Sequence, residues 1–284
     1  MRRLGVHTSI AGGLHLSLVR ANALGCNTVQ IFSHNPRGWS MKPILEEDVN
    51  KFKLLRRRFN ISPVYIHTSY LINMSSWDRG LRKNSINLLT TEMERADMIG
   101  ADFVVLHTGS ASGRDWGLAR KRAIDSLREV SYRGKWMAGL LIENTAGERG
   151  DISSDIVSLS EILSGVTDTF ISGICIDTCH AFAAGYHIGD EKGLKRFSRD
   201  IEKYIGSNYI KLIHLNDSKG NMGSGIDRHE HIGFGKIGQE GLKRFVQYQS
   251  FKKIPLILET PKKRESDDMK NLKRVRKMLK DIQS

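Results

Sequence analysis

Residues 173–180 read GICIDTCH. The run carries no charge through Ile176, stops on Asp177, and has His180 three residues further on. Continuous apolar character without alternation marks a strand buried on both faces, as in a parallel sheet. Seven other runs share it: LGVHTS (4–9), TVQIFS (28–33), VYIHT (64–68), FVVLHT (103–108), GLLIEN (139–144), IKLIHLN (210–216) and IPLILET (254–260). Helical stretches lie between them. LHLSLVRANALG (14–25) ends on Gly25, and RKNSINLLTTEMERADMIG (82–100) has apolar residues at three- and four-residue spacing and ends on Gly100. Each glycine is a candidate C-terminal cap. Strand then helix, repeated eight times in 284 residues, predicts an α/β fold: a (β/α)8 TIM barrel, one domain spanning 1–284. A doubly wound open sheet is the alternative, but it normally has a Gly-rich first turn and functional groups near one switch point. Here no GxGxxG follows a strand, and polar groups close nearly every strand instead.

Those closing residues are of one chemical kind. They are His67, His107, Glu143, Asp177 with His180, His214 and Glu259, and the loop DRHEH (227–231) adds Asp227 and His229. In a barrel such strand ends meet at one mouth. Taken singly, a rim histidine is usually a hydrogen-bonded structural residue, and a rim glutamate can pair with an arginine. The conjunction of nine carries the metal reading. Four carboxylates brought together repel one another unless cations sit among them, and neutral imidazoles add donors without charge. That donor set favours zinc. His231 has the parity of His229 and suits a supporting or phosphate-contact role, whereas His7, closing the first run, reads first as a structural hydrogen-bonding residue. Cys26, Cys175 and Cys179 are too few for a disulfide framework and read as buried packing residues.

Hydrophobic residues make up 39% and charged residues 26%, as expected of a globular protein, and no run is long enough to span a bilayer. The first residues lack a signal-peptide pattern, so a cytoplasmic location is expected. The net charge of +13 favours anionic partners, above all nucleic acid. Its densest stretches, 51–59 and 262–280, have helical spacing and also read as solvated helix faces, so charge alone does not locate a binding surface. Two long connections, 33–43 and 216–238, are candidate substrate loops.

The segments GVHTSIAGGL, FSHNPRGW, IHTSYLIN, LHTGS, IENTAG, CIDTCHAFAAGY, IHLNDSKGNMGSGIDRHEHIGFGKIG and LILETP resemble endonuclease IV, the apurinic/apyrimidinic endonuclease family of the xylose-isomerase-like barrels, along essentially the whole chain. The resemblance implies three zinc ions per chain, with manganese an alternative at one position. His67, His107 and Glu143 would hold the first. Glu143 (bridging), Asp177, His214 and Glu259 would hold the second, and His180, Asp227 and His229 the third. It implies base-excision repair of double-stranded DNA; a complete barrel makes a monomer the default expectation, and the short apolar runs predict no membrane attachment. The reaction would be hydrolysis 5′ to an abasic site, leaving a 3′-hydroxyl and a 5′-deoxyribose phosphate, with removal of 3′-blocking groups as well. Glu143 and Glu259 would take catalytic roles. Arg37 and Tyr70 match positions inserted at the lesion, and Lys219, Arg228 and His231 are further DNA-contact candidates. Thr108, Thr68-Ser69 and Gly38 depart from the family pattern in the loops. Two rivals stand beside this reading: a sugar isomerase or epimerase, needing fewer and harder cations, and a non-enzymatic DNA-binding protein, needing no ligand cluster.

Overall fold

The eight apolar runs form the parallel strands of one barrel; seven strands are shorter than their runs, and the sixth begins two residues before its run. In the computed structural model, which describes residues 2–166 and 170–280, the first seven are β1 (Leu4–Val6), β2 (Val29–Ile31), β3 (Val64–His67), β4 (Phe103–Leu106), β5 (Gly139–Glu143), β6 (Ile171–Asp177) and β7 (Ile210–His214). A two-stranded antiparallel ribbon, β8 (Asp217–Ser218) with β9 (His229–Glu230), rises next from the mouth. The last barrel strand is β10 (Leu256–Leu258). Around the sheet the order is β1-β10-β7-β6-β5-β4-β3-β2. A bridge between His7 and Gln30 closes the ring, with Thr8 N donating to Gln30 O at 2.8 Å.

The helices are α1 (Leu16–Ala23), α2 (Glu46–Arg58), α3 (Arg79–Ile99), α4 (Trp116–Tyr132), α5 (Ile156–Gly165), α6 (Thr178–Ala183), α7 (Glu191–Tyr204), α8 (Gly238–Gln247) and α9 (Ser266–Lys280). Asp78 and Asp115 accept backbone N–H groups at the starts of α3 and α4, satisfying donors that a helix leaves unpaired. Gly100 ends α3 at φ 71°, as its sequence position predicts. Short α6 follows β6 directly and places His180 one turn beyond Asp177. Among the described residues no helix is long and apolar enough to cross a membrane.

Strand parity builds the site. Tyr65, Val105, Leu141, Cys175, Leu212 and Ile257 form a layer inside the barrel, separate from the larger core between sheet and helices. Side chains along a strand point alternately to opposite faces, so the next inward position lies two residues on. Those positions are His67, His107, Glu143, Asp177, His214 and Glu259. A bulge keeps this parity in β6: Leu140 pairs with Ile171 but Leu141 with Gly173, so Ser172 is skipped. Gly173 adopts φ 155°, and a Cβ there would lie 2.2 Å from Tyr209 O. Only glycine fits, and the strand beyond it then presents Asp177 inward.

Candidate metal centre

The nine residues singled out from the sequence meet at the mouth in three groups, the first two sharing Glu143: His67, His107 and Glu143; Glu143, Asp177, His214 and Glu259; and His180, Asp227 and His229. Within each, one donor atom per residue lies within 4.8 Å of the others. Glu143 is the shared member. Its Oε2 is 3.3 Å from His67 Nε2 and 3.2 Å from His107 Nε2. Its Oε1 is 3.0 Å from His214 Nδ1 and 3.2 Å from His180 Nδ1. His214 Nδ1 lies 3.2 Å from Glu259 Oε2 and 3.9 Å from Asp177 Oδ2. Asp227 Oδ1 stands 3.2 Å from His180 Nε2 and 3.4 Å from His229 Nε2.

The second nitrogens of four rings show what the cluster is built for. His67 Nδ1 donates to Thr68 O (2.9 Å), His180 Nδ1 to Asn144 O (3.0 Å), His229 Nδ1 to Glu259 O (3.0 Å) and His214 Nε2 to Gln30 Oε1 (2.7 Å). Each bond fixes a tautomer and turns the other nitrogen's lone pair into the cluster. His107 Nε2, His180 Nε2, His229 Nε2 and Glu143 Oε2 are buried without a hydrogen bond. Buried polar atoms are almost always satisfied, so two such atoms in the His67/His107/Glu143 group and two in the His180/Asp227/His229 group fit bound cations. Cys175 and Cys179 also lie within ligand reach, but burial pushes both thiols up to about 12. In the metal-free fold both are therefore thiols rather than thiolates.

Without cations the cluster stabilises itself by proton sharing. Burial pulls the His214 imidazole down, but the Glu143 and Glu259 carboxylates outweigh it and hold the ring well above its usual value. The same balance, against Asp177, Asp227 and Glu143, raises His180 well above its usual value, and against Glu143 and Glu259 it raises His67. Burial pushes Glu143 and Glu259 up, but the surrounding imidazoles, His214 foremost, hold both well below the carboxylate range. His7 is depressed by burial despite facing Glu259 Oε1 at 3.4 Å.

The DNA-contact candidates sit on the rim. Tyr70 is 64% exposed and packs edge-on to Phe32 at 5.3 Å. Exposed Arg37 is held beside it, because Tyr70 N and Ser69 Oγ both donate to Pro36 O. Exposed Lys219 and Arg228 flank the ribbon, Lys219 facing Glu230 at 3.7 Å. His231 is drawn toward α9, with Nδ1 3.0 Å from Asn271 Nδ2.

Three supporting residues went unread in the sequence. Buried Gln30 lies beneath the second group: Nε2 donates to Glu259 Oε1 at 2.6 Å while Oε1 accepts from His214. The signal was a polar residue inside the apolar run TVQIFS. Buried Asp217 accepts five backbone N–H groups, from Ser218, Gly233, Gly235, Ile237 and Gly238, and gathers the loop after β9 around its carboxylate. Buried Glu92 on α3 ties together the loops bearing Arg37 and Tyr70: Oε1 accepts from Ser69 N and from His34 Nε2, at 3.0 and 2.8 Å.

The family model described as "Xylose isomerase-like TIM barrel" matches residues 18–282. "Probable endonuclease 4" of Halothermothrix orenii is 42% identical over 260 residues, covering 92% of this chain and 94% of the relative. The crystal structure of endonuclease IV from Thermus thermophilus superposes with a TM-score of 0.86 at 34% identity, over 98% of this chain and 99% of that one. The chain belongs to the endonuclease IV family. A D-tagatose 3-epimerase-like protein, at 20% identity and a TM-score of 0.73 over 98% of each chain, shares the fold alone. Membership of the endonuclease IV family thus separates this chain from the sugar-isomerase rival at the level of sequence, where fold cannot.

Proposed function

We propose that this chain is a zinc-dependent apurinic/apyrimidinic endonuclease of base-excision repair. It hydrolyses the phosphodiester 5′ to an abasic site in double-stranded DNA and leaves a 3′-hydroxyl and a 5′-deoxyribose phosphate. Removal of 3′-blocking groups belongs to the same chemistry. The observation that carries this reading is the set of buried, unsatisfied, inward-aimed donor atoms shared through Glu143. Three zinc ions, with manganese an alternative at one position, suit the nine donors as His67/His107/Glu143, Glu143/Asp177/His214/Glu259 and His180/Asp227/His229. Bound cations would supply charge stabilisation to the phosphodiester and acidify the attacking water.

The remaining steps fall to the chain's own groups. Glu143 and Glu259 stay ionised and orient the attacking water as hydrogen-bond acceptors. Beside them opens a cleft of about 630 Å³ lined by His7, Phe32, Tyr70, Glu259, Thr260 and Lys262, suited to a sugar without a base. An abasic nucleotide has lost its stacking, so extruding it costs less than extruding an intact one by a few kcal/mol. Tyr70 and Arg37, on adjacent rim loops, fill the gap it leaves. Lys219, Arg228 and His231 hold phosphates on the ribbon side. All donors come from one chain, in keeping with a monomer, and the three cysteines are free, in keeping with a cytoplasmic location.

The test is a duplex with one tetrahydrofuran abasic analogue, incubated with zinc-replete protein. The expected result is a single nick on the 5′ side of the lesion, abolished by a strong chelator and restored by zinc. A cut on the 3′ side, or chelator-resistant cleavage, overturns the reading.

A further inference from the structure

The net charge of +13 does not gather at the catalytic mouth. The mouth is rich in carboxylates: Glu143, Asp177, Asp227 and Glu259, with Glu148 and Asp151 in the cleft beside His107. Helices in this barrel run back from the mouth, so the basic ends of α2 and α9 arrive at the opposite, closed end. Hydrogen bonds fix that placement. Arg56, in the last turn of α2, donates to Gly100 O and pairs with Asp102 at 2.6 Å. Asp102 in turn accepts Val64 N, the first residue of β3. Arg276, near the end of α9, donates to Leu24 O and Gly25 O just before β2. Arg3, entering β1, donates to Asn27 O and Asn60 O.

One quadrant of the closed end, below β10, β1, β2 and β3, therefore holds Arg3, Arg57, Arg58, Lys253, Arg276 and Lys277. Among the described residues none of these pairs with a carboxylate; Asp102 serves Arg56 alone. Arg3 and Arg276 are clamped by carbonyls, which fix the guanidinium without neutralising it. Arg57, Arg58, Lys253 and Lys277 are exposed. Compensating a helix C-terminus takes only a nearby cation or two, so this excess goes beyond capping. Exposed large apolar side chains on the elements that meet here are the aliphatic Leu54 on α2 and Met98 in the last turn of α3. The surface thus lacks the aromatic anchors that a protein partner or an unstacked single strand would engage. Fixed and free cations without aromatic anchors suit regularly spaced phosphates.

We infer that this quadrant is a second, lesion-independent contact for the phosphate backbone of duplex DNA, so that the protein holds one segment at the mouth and another at the closed end. The inference rests on DNA being the substrate. The experiment uses the full zinc-loaded chain and a variant combining Arg57→Gln, Arg58→Gln and Lys277→Gln, none of which touches the mouth. For an undamaged 30-base-pair duplex, the slope of log affinity against log salt should become shallower by about 2 to 3, since each phosphate contact contributes about 0.9. Bridging of two differently labelled duplexes, read by energy transfer, should be lost. Single-turnover cleavage of a short abasic duplex should be unchanged, and Arg57→Lys with Arg58→Lys should keep both slope and bridging. Unaltered slope and bridging in the glutamine variant overturn the inference. So does a parallel fall in cleavage of the short duplex, which would make the patch part of the catalytic path. A parent protein that bridges duplexes but leaves the abasic analogue intact would instead remove the nuclease reading and leave the basic surface standing.

Discussion

Among single residues, Gln30 shows how much of the proposed metal centre lies outside its ligands. Its amide grips Glu259 with the nitrogen and His214 with the oxygen, while also lying 3.1 Å from His7. With His214 Nε2 held as a donor, Nδ1 is left to face Glu143, Glu259 and Asp177. Gln30→Leu keeps the volume and removes both bonds. Partners of this kind typically contribute 10–100-fold to metal affinity, so the variant should lose about that factor for its weakest-held zinc in chelator competition. A competition curve identical to the parent's would assign Gln30 to packing alone. Tyr70→Ala makes the opposite prediction, because Tyr70 is exposed on the rim and bonds no ligand. Zinc content should be unchanged while cleavage of abasic DNA falls at least tenfold; an undiminished rate would end its role at the lesion.

At the level of elements, legibility followed the size of the sequence pattern. Buried strands write continuous apolar runs, and a polar residue at the end of most was visible from sequence; these together marked the barrel and six of the nine donors, while His180 was read three residues beyond Asp177 and Asp227 and His229 from DRHEH. The ribbon left no trace, since β8 and β9 are two residues each, too short for any periodicity. Asp217 was unreadable for the same reason: its five bonds go to backbone groups spread over 218–238, and backbone donors carry no residue signature. The position of the basic runs could be read as helical, but not which end of the barrel they reached. The ribbon still matters chemically, because β9 carries His229 and the loop before it Asp227. Asp217→Ala strips five amides of their acceptor. Water can reach part of this loop, so the expected loss of folding stability is about 2–4 kcal/mol, a discounted sum of charge-assisted bonds. Zinc in the His180/Asp227/His229 group should dissociate first, and amides 233–238 should exchange faster with deuterium. Full zinc content with parental exchange in that loop would show that the ribbon holds itself.

Across the whole molecule, folding, protonation and the proposed metal binding draw on the same side chains. His67, His180 and His214 have folded-state values raised above the unfolded imidazole. Their contribution to the metal-free fold is fully present below the unfolded value, about 6.5, and is lost as pH rises through the folded values. Glu143 and Glu259 are depressed, so their contribution is present above the unfolded carboxyl value and is lost as pH falls through the folded ones. The window in which both hold runs from about pH 4.5 to 6.5. The metal-free cluster should therefore stabilise the fold more at pH 6 than at pH 8.5, and zinc should reverse the trend, because imidazole lone pairs become available as protons leave. Two measurements follow from one linkage. Adding zinc to metal-free protein at pH 7 in weak buffer should release protons from the raised imidazoles. The gain in melting temperature on adding zinc should also be larger at pH 8.5 than at pH 6. Zinc uptake without acidification, or a gain that shrinks as pH rises, would mean that those imidazoles are already unprotonated in the folded metal-free protein. The carboxylates would then face one another unscreened, and the barrel mouth would need cations to close at all.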